Sequence, residues 1–388
     1  MSPPGRPKGE YRSAQREGTP MPRLTLRGLR AHAVARTLQP SATLVEAIGA
    51  LGFVQLDPIR APARAADLIL RHRVADYRVG DLDRAYPTLP LAEDYVHVYG
   101  VIPRTTLQWL HPRSARHRRH VEREHPRLAA RILAHVARHG ETHPRDLAVL
   151  GRSRTTNGWG GESAATTRVL EALHYRGQLA VARRANGIKV YALAPPAEPP
   201  LAAPVRARAI LSLLLDLYAP LPESALRQLA RMVPETSLPP ALLAKAFDQL
   251  RHGPEVRCVT IDGMDWLLPA RDEIRDDVAA EVRLLAPFDP VVWDRRRFAA
   301  FWGWDYRLEA YTPPKKRKLG YYALPLLWRD DVVGWANATM TNGALTVDIR
   351  FAKTAPRAAA FRRELDAELE RFRTFLGAAR VVVDIESR

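Results

Sequence analysis

The sequence predicts an α+β fold in which tandem winged-helix domains precede a C-terminal antiparallel β-barrel-like domain with one long helix. Three observations lead to this prediction. Residues 127–195 have the order helix, helix, helix and two-stranded hairpin, which is the order of a winged helix, and residues 196–270 repeat it. From residue 281 onward, Val-rich segments indicate a run of strands.

The first of the two repeats combines amphipathic helical spacing with a clear hairpin signal. Gly140 and Gly177 stand where two of its helices should end, and the dipeptide Asn186-Gly187 is typical of a tight turn between strands. The expected elements span Arg127–His139, His143–Leu150, Ser163–His174, Gln178–Arg183 and Lys189–Leu193.

The second repeat follows a proline-rich linker at Pro195–Pro204. Its hairpin turn is predicted at Asp262-Gly263. Because the two repeats share their order of elements and no obvious side-chain identity, two unrelated α+β units remain the alternative. The expected elements span Arg206–Tyr218, Pro222–Leu229, Pro239–Leu250, Glu255–Ile261 and Met264–Leu268.

The C-terminal segment is expected to be a small antiparallel sheet or barrel, with a helix over Arg357–Leu376 packed on it. Asn342-Gly343 is a hairpin signal between two of its strands. The expected strands span Val291–Trp293, Asp305–Tyr311, Leu319–Leu327, Val332–Thr339 and Leu345–Phe351, with a last one at Ala379–Asp384.

The N-terminal part begins with residues 1–22, a Pro- and Arg-rich stretch without apolar periodicity, for which we expect a disordered basic tail. Helical spacing follows, and Gly52 should end a helix before the short extended piece Phe53–Leu56. The expected helices span Leu26–Leu38, Ser41–Leu51, Ala63–Leu70, Val79–Ala85 and Leu91–Gly100.

The charge balance points to a polyanionic partner. The chain has 59 Lys and Arg against 42 Asp and Glu, a formal net charge of +17, which favours nucleic acid first. Only seven of the 59 are Lys, so GC-rich coding bias is an alternative source of the excess Arg. No run approaches the length of a membrane span, and no secretory signal opens the chain, so we expect a cytoplasmic, nucleoid-associated protein.

The sequence also argues against several kinds of site. The single cysteine, Cys258, excludes an internal disulfide and a thiolate metal cluster, and its neighbours predict a strand with a buried thiol. The 12 His are scattered beside Arg, and the chain has no HExxH or CxxC motif, so we expect no metal and no cofactor. The chain likewise lacks a phosphate-binding glycine loop and a Gly-x-Ser-x-Gly nucleophile motif.

Three groups of residues are candidates for DNA contact. The third helix of the first repeat carries Thr166, Thr167, Arg168 and His174, which fit a recognition helix and a solvated face equally well. Arg183 and Arg184 flank the wing turn, where phosphate contact is natural.

The third group is the densest positive cluster of the chain. Lys315, Lys316, Arg317 and Lys318 lie between two predicted strands and should project from a hairpin tip toward phosphates or a groove. A solubilising tip, or a run that only looks like a nuclear-localisation signal, is the alternative.

The segment Gln55-Leu56-Asp57-Pro58 is the strongest chemical candidate. In an extended chain, residues i and i+2 point to the same side, and Pro58 biases Asp57 away from the helical region. A carboxylate beside a carboxamide on one face can hold and polarise a water molecule. The alternative is that Asp57 caps a helix whose first residue is Pro58.

The chain resembles the winged-helix crosslink-repair DNA glycosylases, the YcaQ/AlkX and AlkZ group. Nearly the whole chain after the tail takes part in the resemblance. The matching stretches are Phe53–Pro58 (FVQLDP), Leu91–Pro103 (LAEDYVHVYGVIP), Leu284–Asp294 (LLAPFDPVVWD), Glu309–Arg317 (EAYTPPKKR) and Gly320–Leu326 (GYYALPL).

The resemblance implies three tandem winged helices, the first within 23–126, followed by domains at 127–195, 196–270 and 271–388. It implies that Gln55 and Asp57 are the catalytic pair, in the Gln-x-Asp form of the YcaQ/AlkX branch, with Glu93 and His97 as supporting residues. The implied reaction is monofunctional hydrolysis of N7-alkylated purines, including interstrand crosslinks, from duplex DNA by a monomer. The alternatives are a non-enzymatic winged-helix transcription factor and a DNA-damage-binding protein.

Overall fold

The computed structural model describes residues 24–114, 120–151, 154–156, 162–196 and 199–386, so the predicted tail lies outside the described residues. The fold is α+β, as predicted, and it is described below as four units along the chain. No described helix is long and apolar enough to cross a membrane.

The N-terminal unit (24–114) surrounds a small antiparallel sheet with short helices. The order of its strands is β1-β3-β2, so β3 is central and β1 lies at an edge. The elements are α1 (Leu26–Thr37), α2 (Leu44–Leu51), β1 (Val54–Gln55), α3 (Ala65–Leu70), α4 (Asp81–Ala85), β2 (Leu91–Tyr95), β3 (Tyr99–Pro103) and α5 (Leu107–Leu110).

The helix predicted over Leu91–Gly100 is wrong, because this segment forms the β2–β3 hairpin. The backbone N–H of Val96 donates to the carbonyl of Val98 at 3.1 Å and closes the turn. A short apolar run does not distinguish helix from strand by periodicity alone. The two strands pair with each other over five residue pairs, and β1 adds to the other edge of β3.

The second unit (120–196) contains the first predicted repeat. Asn186 and Gly187 both have positive φ, 53° and 83°, as the predicted turn between its last two strands requires. The predicted second helix is a 3-10 helix, Pro144–Leu150. The other elements are α6 (His120–Glu124), α7 (Pro126–His139), β4 (Arg154–Thr156), β5 (Glu162–Ala164), α8 (Ala165–Tyr175), β6 (Leu179–Ala185) and β7 (Ile188–Leu193).

The third unit (199–269) repeats this order and adds a short strand that completes a three-stranded sheet, β8-β10-β9. Cys258 lies on the edge strand β9 with its thiol exposed, so the prediction of a buried thiol is wrong. The elements are α9 (Ala203–Tyr218), β8 (Leu221–Pro222), α10 (Glu223–Met232), α11 (Pro240–Arg251), β9 (Val256–Ile261) and β10 (Met264–Pro269).

The C-terminal unit (270–386) is built on a five-stranded sheet in the order β11-β12-β13-β14-β15. The first four strands are antiparallel, but β15 pairs parallel to β14, with Val347 opposite Val383. A parallel pair needs a crossover, which the long helix α13 provides. The elements are β11 (Val282–Leu284), α12 (Arg295–Trp302), β12 (Leu324–Trp328), β13 (Asp331–Thr341), β14 (Ala344–Phe351), α13 (Ala359–Leu376) and β15 (Arg380–Glu386).

The sheet therefore departs from an all-antiparallel arrangement, and two predicted strands, Val291–Trp293 and Asp305–Tyr311, are irregular segments. The first leads into α12, where the Asp294 side chain accepts from the backbone N–H of Arg297 at 2.7 Å. In the second, the Tyr306 ring packs on Phe298 with a centroid distance of 5.2 Å. Aromatic packing against α12 has replaced strand pairing there.

Buried ion pairs join the first and last units. Arg73 donates two hydrogen bonds, of 2.8 and 3.0 Å, to the carboxylate of Asp289, and both side chains are almost fully buried. Arg71 donates one hydrogen bond of 2.5 Å to Glu368 of α13. These contacts fix the C-terminal unit to the segment that follows α3 in the N-terminal unit.

Candidate active site

Strand β1 carries Gln55 at the edge of the N-terminal sheet. Gln55 pairs with Gly100 of β3, and the backbone N–H of Leu56 continues the pairing by donating to the Tyr99 carbonyl at 3.0 Å. A Cβ atom on Gly100 would collide with the ring of Phe53 and the carbonyl of Val54. Gly100 therefore lets Phe53 pack under the strand and keeps β1 flat against the sheet.

Asp57 lies in the turn directly after β1. Its Oδ1 accepts a hydrogen bond of 2.9 Å from the backbone N–H of Ile59, which holds the carboxylate in an Asx turn. No helix begins at Pro58, and α3 starts only at Ala65, so the alternative in which Asp57 caps a helix is wrong. Burial raises the pKa of Asp57, and the Ile59 N–H opposes this rise.

Trp293 of the C-terminal unit holds the side chain of Gln55. The indole Nε1–H donates to Oε1 of Gln55 at 2.8 Å. Because an indole nitrogen can only donate, it fixes which end of the amide faces it. The NH₂ group of Gln55 is left to donate to another partner.

His97 packs against Trp293. Its ring lies against Trp293 at a centroid distance of 5.3 Å and against Phe53 at 4.9 Å. Its Nε2 lies 2.9 Å from the hydroxyl of Tyr218, a residue of α9. Burial lowers the pKa of His97 to about 3, so the imidazole is neutral at physiological pH. His97 does not contact Gln55 directly but packs on Trp293, which donates to Gln55.

The backbone segment that carries Trp293 is held by a buried arginine. Arg297 donates to the carbonyls of Val291 at 2.8 Å and Pro290, and on its other side to those of Tyr218 and Pro220. The guanidinium thus joins the C-terminal unit to the end of α9. In the sequence, the stretch around Trp293 contributes to the family resemblance, but it does not predict the contact with Gln55.

Glu93 lies on the other face of the small sheet. It stands opposite Val101 and Val54 in register, whereas Gln55 stands opposite Gly100. Its two carboxylate oxygens accept hydrogen bonds of 2.7 and 2.6 Å from Arg184, and the Tyr99 hydroxyl donates to it at 2.8 Å. Glu93 was expected to support the Gln55–Asp57 pair, but it makes no direct contact with either residue.

This pairing bears on the predicted phosphate contact of Arg184. Burial opposes ionisation of Glu93, but Arg184 outweighs it and keeps the carboxyl pKa below its usual range. Arg184 is therefore engaged inside the protein by a buried ion pair, and its contact with phosphate stays a prediction. Arg183 remains more exposed and pairs with Glu141 at 2.7 Å.

A groove lies between the β6–β7 hairpin and the N-terminal unit, beside the chain that follows Asp57. Arg60 reaches over Gly187 at the turn of that hairpin, and within the described part of the chain its guanidinium has no ion-pair partner. The other basic residues of the groove are bound to carboxylates, as in the pair of Arg64 and Asp83 at 2.9 Å. The lining includes Arg60, Arg64, Arg84, Arg183, Arg184 and Asn186.

The basic cluster lies on a loop, here called the basic loop (residues 310–321), and not on a hairpin tip. Lys315 and Lys316 fall in a 3-10 helix, Pro314–Lys316, and the loop is not flanked by paired strands. Oε2 of Glu309 accepts from the backbone N–H groups of residues 318, 319 and 320 at 2.8, 2.7 and 3.3 Å. One nearly buried carboxylate thus closes the loop on itself.

The four cationic side chains of the basic loop differ in exposure and in their contacts. Arg317 is half-buried, donates to the Thr312 carbonyl at 2.8 Å and lies over the Tyr321 ring at 5.0 Å. Lys315, Lys316 and Lys318 are exposed, and none of their ammonium groups has a carboxylate partner among residues 24–386 as described. Burial first, and then the charge of Asp57, raise the pKa of Tyr311 in the loop and of Tyr322 directly after it.

Helix α8 is a poor recognition helix in this structure. Thr166 is buried, and Arg168 pairs with Glu171 on its own helix at 2.5 Å. His174 is buried too, with Nδ1 3.1 Å from the Leu179 carbonyl, so this residue supports the hairpin. In the described ranges, no group of three His, Cys, Asp or Glu side chains is arranged to hold a metal ion.

Comparison with known proteins finds a matching family model and a similar solved structure. The family model described as DNA glycosylase AlkZ-like matches residues 48–375. The fold is similar to that of Streptomyces sahachiroi DNA glycosylase AlkZ, with a TM-score of 0.61 and 18% identity over 94% of this chain and 100% of the Streptomyces chain.

These findings define a DNA glycosylase, an enzyme of DNA repair that acts on alkylation damage. The chain belongs to the AlkZ-like DNA glycosylase family. The resemblance seen in the sequence is thereby confirmed, and the two non-enzymatic alternatives are wrong.

Proposed function

We propose that this glycosylase hydrolyses N7-alkylated purines from duplex DNA, including purines joined in interstrand crosslinks, and that Gln55 and Asp57 perform the reaction. The proposal is supported above all by the hydrogen bond from Trp293 to Gln55. That contact leaves the Gln55 NH₂ group free to donate to a water molecule, while the adjacent carboxylate can accept from the same water.

The chemistry needs little more than these two groups. An N7-alkylguanine is cationic, so it leaves as a neutral base when the bond between C1′ and N9 breaks, and no general acid is required. Asp57 stabilises the positive charge that develops on the sugar and takes a proton from the water as its oxygen bonds to C1′. Its raised pKa makes it a better base than an ordinary carboxylate.

No lysine is close in sequence to this pair, which fits simple hydrolysis without a Schiff base. The proposed reaction is therefore monofunctional, and it uses no metal or cofactor. We also propose a monomer, winged-helix architecture for the first three units, and domain boundaries near residues 126, 195 and 270.

DNA engagement is proposed to rest on the cations around the site. The candidates are the exposed lysines of the basic loop and Arg60, which follows Asp57 by three residues and lines the groove. Cations in such positions bind phosphates without reading sequence, so binding should depend steeply on salt.

The central test is Asp57→Asn. Asn keeps an oxygen for the Ile59 N–H but cannot take a proton or offset charge on the sugar, so base release should fall by about 100-fold or more. Single-turnover release of 7-methylguanine from methylated duplex DNA measures the rate. Because burial disfavours the charged carboxylate, the variant should melt at the same temperature as the wild type or higher, and its DNA affinity should persist.

Asp76→Asn is the matched control, since this exposed Asp already has a positive φ of 52°, which Asn tolerates. It should release base at the wild-type rate. A near-wild-type rate in Asp57→Asn would overturn the catalytic assignment. Unhooking of a defined N7-linked crosslink, measured beside 7-methylguanine release, tests the substrate class, and activity on neither substrate would overturn that part of the proposal.

A further inference from the structure

Tyr322 is a buried phenol with an unused hydroxyl beside the candidate active site. It follows the basic loop directly and is only 3% exposed, with its ring at 6.4 Å from that of Phe288. Across the part of the chain that the structure describes, the hydroxyl has no hydrogen-bond partner. A buried hydroxyl without a partner costs stability, so its presence calls for a reason.

Asp57 has a free acceptor atom. Oδ1 accepts from the Ile59 N–H, and Oδ2 has no hydrogen bond to any described residue. Tyr322 packs on Phe288, in the segment whose Trp293 binds Gln55. Burial first, and then the charge of Asp57, raise the pKa of Tyr322, and no hydrogen bond joins the phenol to the carboxylate in the described residues.

A second buried tyrosine of the same unit shows what a structural phenol looks like here. Tyr306 is 2% exposed, and its hydroxyl donates to the Ala323 carbonyl at 2.7 Å. Its ring also lies under the Arg295 guanidinium at 4.4 Å. The hydroxyl of Tyr306 thus has a hydrogen-bond partner, whereas that of Tyr322 has none among the described residues.

We propose that Tyr322 is a positioning residue for Asp57, whose hydroxyl donates toward the free Oδ2 when damaged DNA fills the site. The donation is direct or passes through one bound water. With the Ile59 N–H on one oxygen and the phenol on the other, the plane of the carboxylate would be fixed toward the sugar. This inference rests on the proposed function, because it concerns the role of Asp57 in base release.

The role has a clear electrostatic consequence. A hydrogen bond to the carboxylate favours its charged form, which is the form that accepts a proton from water. The raised pKa of Tyr322 keeps the phenol protonated, and so a donor, at every working pH. Removing the donor should leave Asp57 protonated over a wider range of acidic pH and slow the reaction there.

The test compares Tyr322→Phe with Tyr306→Phe, the wild type and Asp57→Asn. Single-turnover base release is measured from pH 5 to 9 on methylated duplex DNA, together with DNA affinity and melting temperature. Tyr322→Phe should release base about tenfold more slowly near neutral pH, as expected for loss of one hydrogen bond to a charged group. Its acidic limb should move to higher pH, and DNA affinity should stay unchanged. The melting temperature should stay the same or rise, because the variant removes a buried hydroxyl that has no partner.

The matched control should behave in the opposite way. Tyr306→Phe loses a satisfied hydrogen bond, so it should melt at a lower temperature without any movement of the acidic limb. If Tyr322→Phe fails to fold, 3-fluorotyrosine at position 322 keeps the hydroxyl and makes it a stronger donor. That substitution should move the acidic limb to lower pH.

The outcomes separate this inference from the proposed function. If wild-type protein and Asp57→Asn both release no base, the proposed function fails and takes the inference with it. If Asp57→Asn is silent but Tyr322→Phe matches the wild type at every pH, only the role of Tyr322 is overturned. A uniform loss of rate in Tyr322→Phe, with an unmoved acidic limb, also overturns positioning through Asp57.

Discussion

The hydrogen bond between Trp293 and Gln55 can be removed with little other disturbance. Trp293→Phe keeps an aromatic ring against Tyr218 and His97, whose centroids lie 5.0 and 5.3 Å from the indole. It deletes the N–H that orients the Gln55 amide, together with the second ring of the indole. One neutral hydrogen bond contributes about 0.5–1.5 kcal/mol, so base release should slow by about twofold to tenfold.

A double-mutant cycle shows whether this loss acts through Gln55. In a Gln55→Ala background there is no amide to orient, so Trp293→Phe should cause no further loss of rate. The measurement is single-turnover release of 7-methylguanine from all four proteins. DNA affinity is measured in parallel, because a binding defect would lower the rate for another reason.

Trp304→Phe provides the control for loss of an indole N–H elsewhere in the unit. Trp304 donates to the Val332 carbonyl at 3.3 Å, away from Gln55. This variant should change stability and leave the rate constant of base release untouched. If Trp293→Phe lowers the rate constant as much in the Gln55→Ala background as in the wild type, the two residues act independently, and Trp293 does not act through Gln55.

Three further predictions concern binding and stability. Changing all four cationic residues of the basic loop to Ala should weaken duplex binding and reduce the salt slope by about three, because only the three lysines are free; an unchanged slope in anisotropy titrations would contradict this. Arg184→Ala should lower the free energy of unfolding by about 3–5 kcal/mol in urea, since it leaves Glu93 charged and buried, and a change limited to DNA affinity would contradict it. Because the folded His97 is neutral down to a pKa of about 3, stability should fall as pH drops below about 6.5, by up to about 1.4 kcal/mol per unit, and His97→Gln should flatten that fall in pH-dependent melting.

The sequence predicted well those features that depend on a few consecutive residues. The turns at Asn186-Gly187, Asp262-Gly263 and Asn342-Gly343 all have paired positive φ angles, because only such residues adopt that backbone cheaply. The extended geometry of Gln55 and Asp57 was also local, since Pro58 restricts its predecessor. The structure places Gln55 at the end of the two-residue strand β1 and Asp57 in the turn that follows it.

Features that depend on distant partners could not be predicted in this way. Arg184 looked like a phosphate contact because the wing turn is local, but its buried partner Glu93 lies 91 residues away. The contact from Trp293 to Gln55 spans 238 residues. The β2–β3 hairpin has a different reason, because its two strands are neighbours in sequence and pair with each other. There the short apolar run did not distinguish strand from helix.

The long-range contacts explain how so small a strand can carry chemistry. β1 has only two residues and lies at a sheet edge, where side chains would ordinarily be mobile. Trp293 removes that freedom for Gln55, and Trp293 is itself held through Arg297 and His97 by contacts to two other units. The same C-terminal unit carries the basic loop. In the proposed mechanism, a duplex bound by that loop would meet a carboxamide that Trp293 has already oriented. The C-terminal unit would then contribute both to phosphate binding and to the alignment of the water that attacks the sugar.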